Sequence, residues 1–445
     1  MRAYTAREAN SLPYSGWVVI HHAKLQFASH SRSAQNQINV TTKRPKTQAE
    51  IDTAPDLTYN DLHKNSLSDL AIWIIEQKNQ VIFVQIINDR RALHRIPELD
   101  RQLPETMAYL ENALSGLSCS VFSPMEGALC AFFDFGRGDA VAFRSDADAL
   151  PIAEKTGAEY ASTHPGKMHA CGHDGHMAMA LELARRLSRK ETMPHNVLIV
   201  FQPAEETTGG AKDLCETGVF AEYHVSAIFG MHLWPGLPEG TVASRKEELM
   251  ARSCEVKVDV YGRSSHIARA EEGLDALYAG VQFYSRVMDM EKAIPAHIFR
   301  LLKFGKFESG RVCNALSAHT HMEGSLRAFQ DEVFFAMRQS VLDIAAAVEA
   351  ETGCRVEVRM NDGYPAVMNP AELYDRVRRA VDFAELPKPM MITEDFSWYQ
   401  RSLPGMFFFL GAGDVPALHA DTFDFNESIL MKGADFFEKL AENYQ

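Results

Sequence analysis

Between residues 138 and 235 the chain alternates short, almost uninterrupted apolar runs with amphipathic stretches. The runs AVAF at 140–143, VLIVF at 197–201 and AIFGM at 227–231 suit strands buried on both faces, as a parallel sheet covered by helices requires. Met177, Ala180, Leu181, Ala184 and Leu187 form an apolar stripe at helical spacing, which predicts an amphipathic helix between two of these strands. From about 252 to 361 the period becomes two. In CEVKVDV at 254–260, Cys254, Val256, Val258 and Val260 face one way and Glu255, Lys257 and Asp259 the other, as in an antiparallel sheet with one covered face. A helical stretch near 274–290, extended runs near 297–304 and 317–327, a long helix near 332–352 and CRVEVRM at 354–360 complete the order β-α-β-β-α-β of a ferredoxin-like unit. After Asp362 the earlier pattern resumes, with a helix near 371–385 and the buried strand MFFFLGAG at 406–413.

The predicted fold class is therefore α/β: a mostly parallel sheet covered by helices, interrupted by a ferredoxin-like α+β lid. The expected divisions are an N-terminal extension over 1–88, a catalytic domain in two parts, 89–251 and 362–445, and the lid over 252–361. A hinge is expected where the insertion crosses, near Met250–Ser253 and Asp362–Tyr364. Residues 1–88 are rich in Asn, Gln, Ser and Thr, with no long helical or strand period before about Leu67. The apolar run Val81–Ile87 leading into NDRRALHRIPEL predicts an ordinary first helix that needs nothing upstream.

Length and composition fit this division. A chain of 445 residues exceeds one ordinary core, and 46% hydrophobic residues supply ample burial. A net charge of −14, with both signs mixed along the chain, offers no basic stripe for a phosphate backbone and argues against nucleic acid as a partner. The seven cysteines are odd in number and widely spaced, which argues against a disulfide framework and for a reducing cytoplasm. Neither a signal peptide nor a membrane span is expected, since the most apolar early run, Leu70–Ile87, is broken by Glu76, Lys78 and Asn79.

Polar clusters follow the apolar runs: Asp146 and Asp148 after AVAF, Glu205 and Glu206 after VLIVF, His232 after AIFGM, and His419 beyond MFFFL. In an open parallel sheet the crevice beyond the carboxyl ends of the strands is where such clusters converge. With Cys171 and His173 of HACGHDGH, which lie just before a predicted helix, the set Cys171, His173, Glu206, His232 and His419 offers a thiolate, three imidazoles and a carboxylate. Zinc, manganese, cobalt and nickel all accept these donors, and the thiolate favours zinc or cobalt. Two ions need a bridging group and water besides five monodentate ligands. If Glu206 faces the metals, the alternation of an extended segment turns Glu205 toward substrate and water, where it can move protons. Asp148 is expected to accept a hydrogen bond from a ligand imidazole. The remaining cysteines, 119, 130, 215, 254, 313 and 354, are read as structural.

SDADALP at 145–151, MHACGHDGH at 168–176, FQPAEE at 201–206, FGMHL at 229–233, TEDFS at 393–397 and LHA at 418–420 fall in the order of a known family. From RRALHRIPEL to the C-terminus the chain resembles the metallopeptidases that include glutamate carboxypeptidase and aminoacylase. Its motifs are most similar to those of the plant indole-acetyl-amino-acid hydrolases and of bacterial hippurate hydrolases and N-acetyldiaminopimelate deacetylases. The resemblance implies two divalent metal ions per subunit on Cys171, His173, Glu206, His232 and His419, with Glu205 as general acid/base. It favours manganese where thiolate softness favours zinc. It further implies a homodimer formed through the lid, a lid histidine at His266 that donates to the oxyanion, in cis or in trans, and substrate-carboxylate contacts at Asn314 and Arg327. This chain departs from close relatives in IARAEEG at 267–273, where a small-residue and proline run is usual, and in residues 1–88, which have no counterpart in this branch. A native start at a non-Met codon near Val81–Val84 is the corresponding expectation.

The expected function is hydrolysis of the amide bond of a small N-acyl amino acid by metal-activated water. N-acetyl-L,L-diaminopimelate and aromatic acyl-amino acids are the substrates considered. The alternatives are a dipeptidase or carboxypeptidase using the same centre, and a non-catalytic binding protein that retains the fold.

Overall fold

The computed structural model describes residues 17–20, 23–28, 37–42 and 82–445. The chain divides into Met1–Ile82 and Phe83–Gln445. In the first unit three short strands, β1 (Trp17–Ile20), β2 (Ala23–Ala28) and β3 (Gln37–Thr42), pair antiparallel in the order β1-β2-β3. Runs this short are lost among polar neighbours, which is why no strand period was expected there. Val81, where the expectation of a native start begins, lies outside the described residues.

The second unit opens with helix over 83–94, as the Val81–Ile87 run predicts, and continues through a helix at Pro104–Leu114. Its large sheet contains β4 (Ser120–Phe122), β5 (Leu129–Phe133), β6 (Ala140–Asp146), β7 (Asn196–Gln202), β8 (Val225–Pro235), β9 (Val242–Ser244), β16 (Ala384–Glu385) and β17 (Gly405–Gly413), ordered β16-β9-β17-β8-β6-β7-β5-β4. The central strands β17, β8, β6 and β7 are mutually parallel. Every residue of β6 and β7 is buried, since helices or loops cover both faces. The helix His173–Leu187 lies on one face with Met177, Leu181 and Leu187 in the core, together with the C-terminal helix Ile429–Asn443.

The lid is built on β11 (Arg252–Tyr261), β12 (Arg300–Ser309), β13 (His319–Ala328) and β14 (Arg355–Met360), in the order β12-β13-β11-β14 and antiparallel throughout. Helices Ala276–Ala293 and Asp331–Thr352 cover one face, burying Val256, Val258, Val260, Met322 and Leu326 as the period of two requires. The sequence expectation of an interrupted α/β domain with a ferredoxin-like insertion is met. Two elements differ in extent. The helix predicted near 371–385 stops at Ala380, because Val381 turns extended and Phe383 packs on Phe408 and Phe436. β8 runs three residues past His232, which therefore sits within the strand rather than after it.

The two connections to the lid run against each other. β10 (Glu247–Met250) pairs antiparallel with β15 (Val367–Asn369). Gly363, at φ +56°, approaches Ser253 so closely that a Cβ would lie 1.5 Å from its carbonyl oxygen. Only glycine fits there. Gly363→Ala is expected to destabilise the protein by about 3 kcal/mol or more, combining left-handed strain with a backbone clash. An unchanged urea midpoint would contradict this account of the crossing.

Candidate metal centre

Cys171, Glu206, His232 and His419 line one cavity of about 750 Å³ at the carboxyl ends of the parallel strands, together with Glu205 and Arg327. His173 lies behind Cys171 at the start of its helix. Between them Gly172 takes φ +87°, and a side chain there would meet Leu233 Cδ1 at 2.7 Å. This left-handed turn lets Cys171 and His173 both face inward: with Glu206 they offer ligand atoms all within 4.8 Å of one another.

The hydrogen bonds determine which imidazole nitrogen is free. His173 Nδ1 lies 2.7 Å from the Asp148 carbonyl, and His232 Nδ1 lies 2.6 Å from the Leu233 carbonyl. A carbonyl only accepts, so both Nδ1 atoms carry protons and both Nε2 atoms keep their lone pairs. His173 Nε2 is buried with no partner. His232 Nε2 stands 3.3 Å from Cys171 Sγ, and His419 Nε2 stands 3.2 Å from Glu206 Oε1. His419 arrives on a loop held by its own N–H, which donates to the Ala170 carbonyl at 2.8 Å. Imidazole lone pairs, a thiol and a carboxylate that converge on one point are what a cation satisfies. Burial, with Glu206 and Glu205 nearby, pushes the Cys171 thiol well above its ordinary range, which a bound cation would reverse. The donor set thus fits divalent metal.

A second buried group, Asp146, His173, His176 and His232, also brings ligand-type atoms together, but two of its members are already committed. Asp146 accepts from Arg144 Nη1 at 2.8 Å and from His176 Nδ1 at 2.6 Å, while His176 Nε2 accepts the Leu233 N–H at 2.9 Å. These two side chains support the wall behind the centre.

PAEE is a turn and not an extended segment: Ala204 takes φ +58°, and the Asp148 carboxylate accepts the N–H groups of Glu205 at 3.0 Å and Glu206 at 3.1 Å. The two glutamates diverge because the chain bends, not by strand alternation. Glu206 turns to Cys171, His173 and His419. Glu205 turns to Glu394 and Asp395, with carboxylate oxygens within 4.8 Å. Burial, Glu394 and Glu206 hold the Glu205 carboxyl well above the usual range. Asp148 accepts the bond expected from a ligand imidazole, that of His173, through its main-chain oxygen.

Arg327 of the lid lines the same cavity as the two glutamates. Its Nε donates to Ser325 Oγ at 3.2 Å and its Nη1 to the Met391 carbonyl. His266 and Asn314 are not brought there. They sit together on the lid, where the N–H of Ile267 donates to the Asn314 carbonyl at 3.0 Å, both are exposed, and neither lines the cavity. Sequence reasoning missed Tyr364, whose hydroxyl donates to the Glu205 carbonyl at 3.1 Å, and Glu394, which lines the cavity. Cys254, read as structural, packs in the lid core and borders the cavity. TEDFS was the one signal for Glu394.

Residues 142–443 match the model of peptidase family M20/M25/M40. The chain belongs to this family. An uncharacterized hydrolase of Staphylococcus haemolyticus is 34% identical over 374 residues, covering 81% of this chain and 98% of the relative. The YXEP protein of Bacillus subtilis, a dinuclear metal binding peptidase of the M20 family, superposes with a TM-score of 0.71 at 28% identity, over 81% of this chain and 98% of its own. The aminobenzoyl-glutamate utilization protein of Klebsiella pneumoniae shares the fold, with a TM-score of 0.56 at 19% identity, over 83% and 98% of the two chains. As a member of this family the chain is a metal-dependent hydrolase of amide bonds. Among the described residues no helix is long and apolar enough to cross a membrane.

Proposed function

We propose that this protein hydrolyses the amide bond of an N-acyl amino acid, with two divalent ions held by Cys171, His173, Glu206, His232 and His419. The observation that carries the reading is one cavity lined by Cys171, Glu205, Glu206, His232 and His419 and also by Arg327 of the lid. That combination of groups suits a substrate with an amide at one end and a carboxylate at the other. Trp234, Ile392 and Leu418 add apolar lining for an acyl group. All seven cysteines are free, which supports the cytoplasm as location.

When bound, the ions would polarise the amide carbonyl and lower the pKa of water toward neutrality. Glu205 takes the proton that water loses on attack and returns it to the leaving nitrogen. Its divergence from Glu206 keeps the proton carrier apart from the ligand that the same turn supplies. Tyr364 steadies the Glu205 main chain, and Arg327 orients the carboxylate end.

A homodimer formed through the lid belongs to the same proposal. Leu277, Tyr278, Val281 and Tyr284 are exposed on one face of the helix Ala276–Ala293, beside the edge strand β12 with exposed Phe307. An apolar helix face next to an open strand edge suits a second copy of the lid. His266, which does not line its own protomer's cavity, would then reach the partner's site and donate to the oxyanion.

Two experiments test this. Protein loaded in turn with manganese, zinc and cobalt is assayed on N-acetyl, N-benzoyl and dipeptide substrates; N-acyl amino acids should turn over fastest, and a preference for dipeptides would refute the substrate class. In the same assay Glu205→Gln should keep its metal and lose about 10²- to 10⁴-fold in kcat. Cys171→Ala should lose metal. The second experiment co-expresses His266→Ala with Glu205→Gln. Hybrid dimers contain one intact site if His266 acts in trans, so part of the activity returns; no recovery above either variant alone would contradict it.

A further inference from the structure

Arg144 has no role in the chemistry above, yet it is a buried charge with four side-chain partners beside the centre. It lies on β6, 2% exposed. Its Nε donates to Gln202 Oε1 at 2.8 Å, its Nη1 to Asp146 Oδ2 at 2.8 Å, and its Nη2 to Glu394 Oε1 and Asp395 Oδ1, both at 2.9 Å. Two chains of contact lead from it toward the cavity.

The first runs through Asp146 to His176 at 2.6 Å, from His176 to the Leu233 N–H at 2.9 Å, and from the Leu233 carbonyl to His232 Nδ1 at 2.6 Å. It ends on the lone pair of His232 Nε2 beside Cys171. The second runs through Glu394, whose Oε1 also accepts the Phe396 N–H at 3.1 Å, and through Asp395, whose Oδ2 accepts from Gln202 at 2.7 Å. Both carboxylates are within 4.8 Å of Glu205. With those two carboxyl groups pinned by Arg144, Glu205 is left the open side, toward the cavity that it lines.

We propose that Arg144 is a positioning residue that sets both the aim of His232 at the metal centre and the seat of Glu205. The proposal rests on the roles given above to His232 and Glu205. A planar fork with donors along three directions serves both chains at once, and a lysine ammonium does not.

The isosteric variants separate the two chains. In Asp146→Asn the amide must present its oxygen to Arg144, which leaves its NH₂ toward His176. The imidazole then has to move its proton to Nε2, where it meets the Leu233 N–H donor to donor. In Glu394→Gln the carbonyl oxygen still serves Arg144, but the new NH₂ attracts the Glu205 carboxylate inward. The test uses the full chain and reads metal retention against a chelator, the visible spectrum of the cobalt-loaded protein, and kcat and KM on the best N-acyl substrate.

Asp146→Asn should shift the cobalt bands and weaken retention by about tenfold or more, the range for outer partners of metal ligands. Glu394→Gln should leave bands and retention as in wild type and lower kcat by about tenfold or more, with KM within about twofold. Arg144→Lys should show both defects. The proposal is overturned if Asp146→Asn keeps wild-type bands and retention, if Glu394→Gln moves the bands or keeps kcat, or if Arg144→Lys differs only in melting temperature. Should Arg144→Lys fail to fold, the contrast between the other two variants decides. Wild-type protein that binds no metal would overturn the proposed function itself, and this inference with it.

Discussion

Asp148 is the residue on which the site's geometry turns. Its carbonyl takes the Nδ1 proton of His173, and its two carboxylate oxygens take the N–H groups of Glu205 and Glu206. One buried side chain therefore fixes the turn that separates ligand from proton carrier, while its own main chain fixes the imidazole opposite. Two hydrogen bonds from backbone N–H to one side chain are directional, and they act on atoms that tether the reacting groups. Without them the left-handed Ala204 would have little to hold it.

Around this anchor the protein concentrates carboxyl groups where water is scarce. Asp146, Asp148, Glu394 and Asp395 are all buried, and within the protein Arg144 is the cation shared by three of them. Burial and its carboxylate partners act in opposite directions on that guanidinium, and the carboxylates win, raising its pKa well above the ordinary value. Such an arrangement is a poor way to gain stability, since buried ion pairs give back little of their desolvation cost. It is a good way to hold side chains in one orientation. The parallel sheet supplies the frame: β6, β7, β8 and β17 all point their carboxyl ends at one crevice, so residues hundreds of positions apart meet there.

Most of the frame was legible in the sequence, because apolar periodicity reports which faces are covered. The runs at 140–143, 197–201 and 227–231, the period of two at 254–260 and the order of lid elements all read directly. The convergence of Glu206, His232 and His419 followed from their place at or beyond the ends of buried runs, and that of Cys171 and His173 from their place at the start of a helix. What was not legible depends on contacts between distant residues or on backbone bends. The Arg144–Glu394 pair spans 250 positions, and nothing local to TEDFS or to AVAFRSD announces it. The turn at Ala204 carries no glycine to mark it, so PAEE read as extended. His266 and Asn314 sit on the lid outside the cavity of their own chain, and only a partner's site would give them the role that the family resemblance implies.

The central claim is that Cys171, His173, Glu206, His232 and His419 hold two ions, with Asp146 and His176 standing behind them as supports. Anomalous diffraction from crystals of the zinc- or manganese-loaded protein tests it most directly. The account predicts two anomalous peaks per chain, each within bonding distance of members of that set and neither touching Asp146 or His176. Peaks coordinated by Asp146 and His176 would contradict it, as would the lack of any peak among the five.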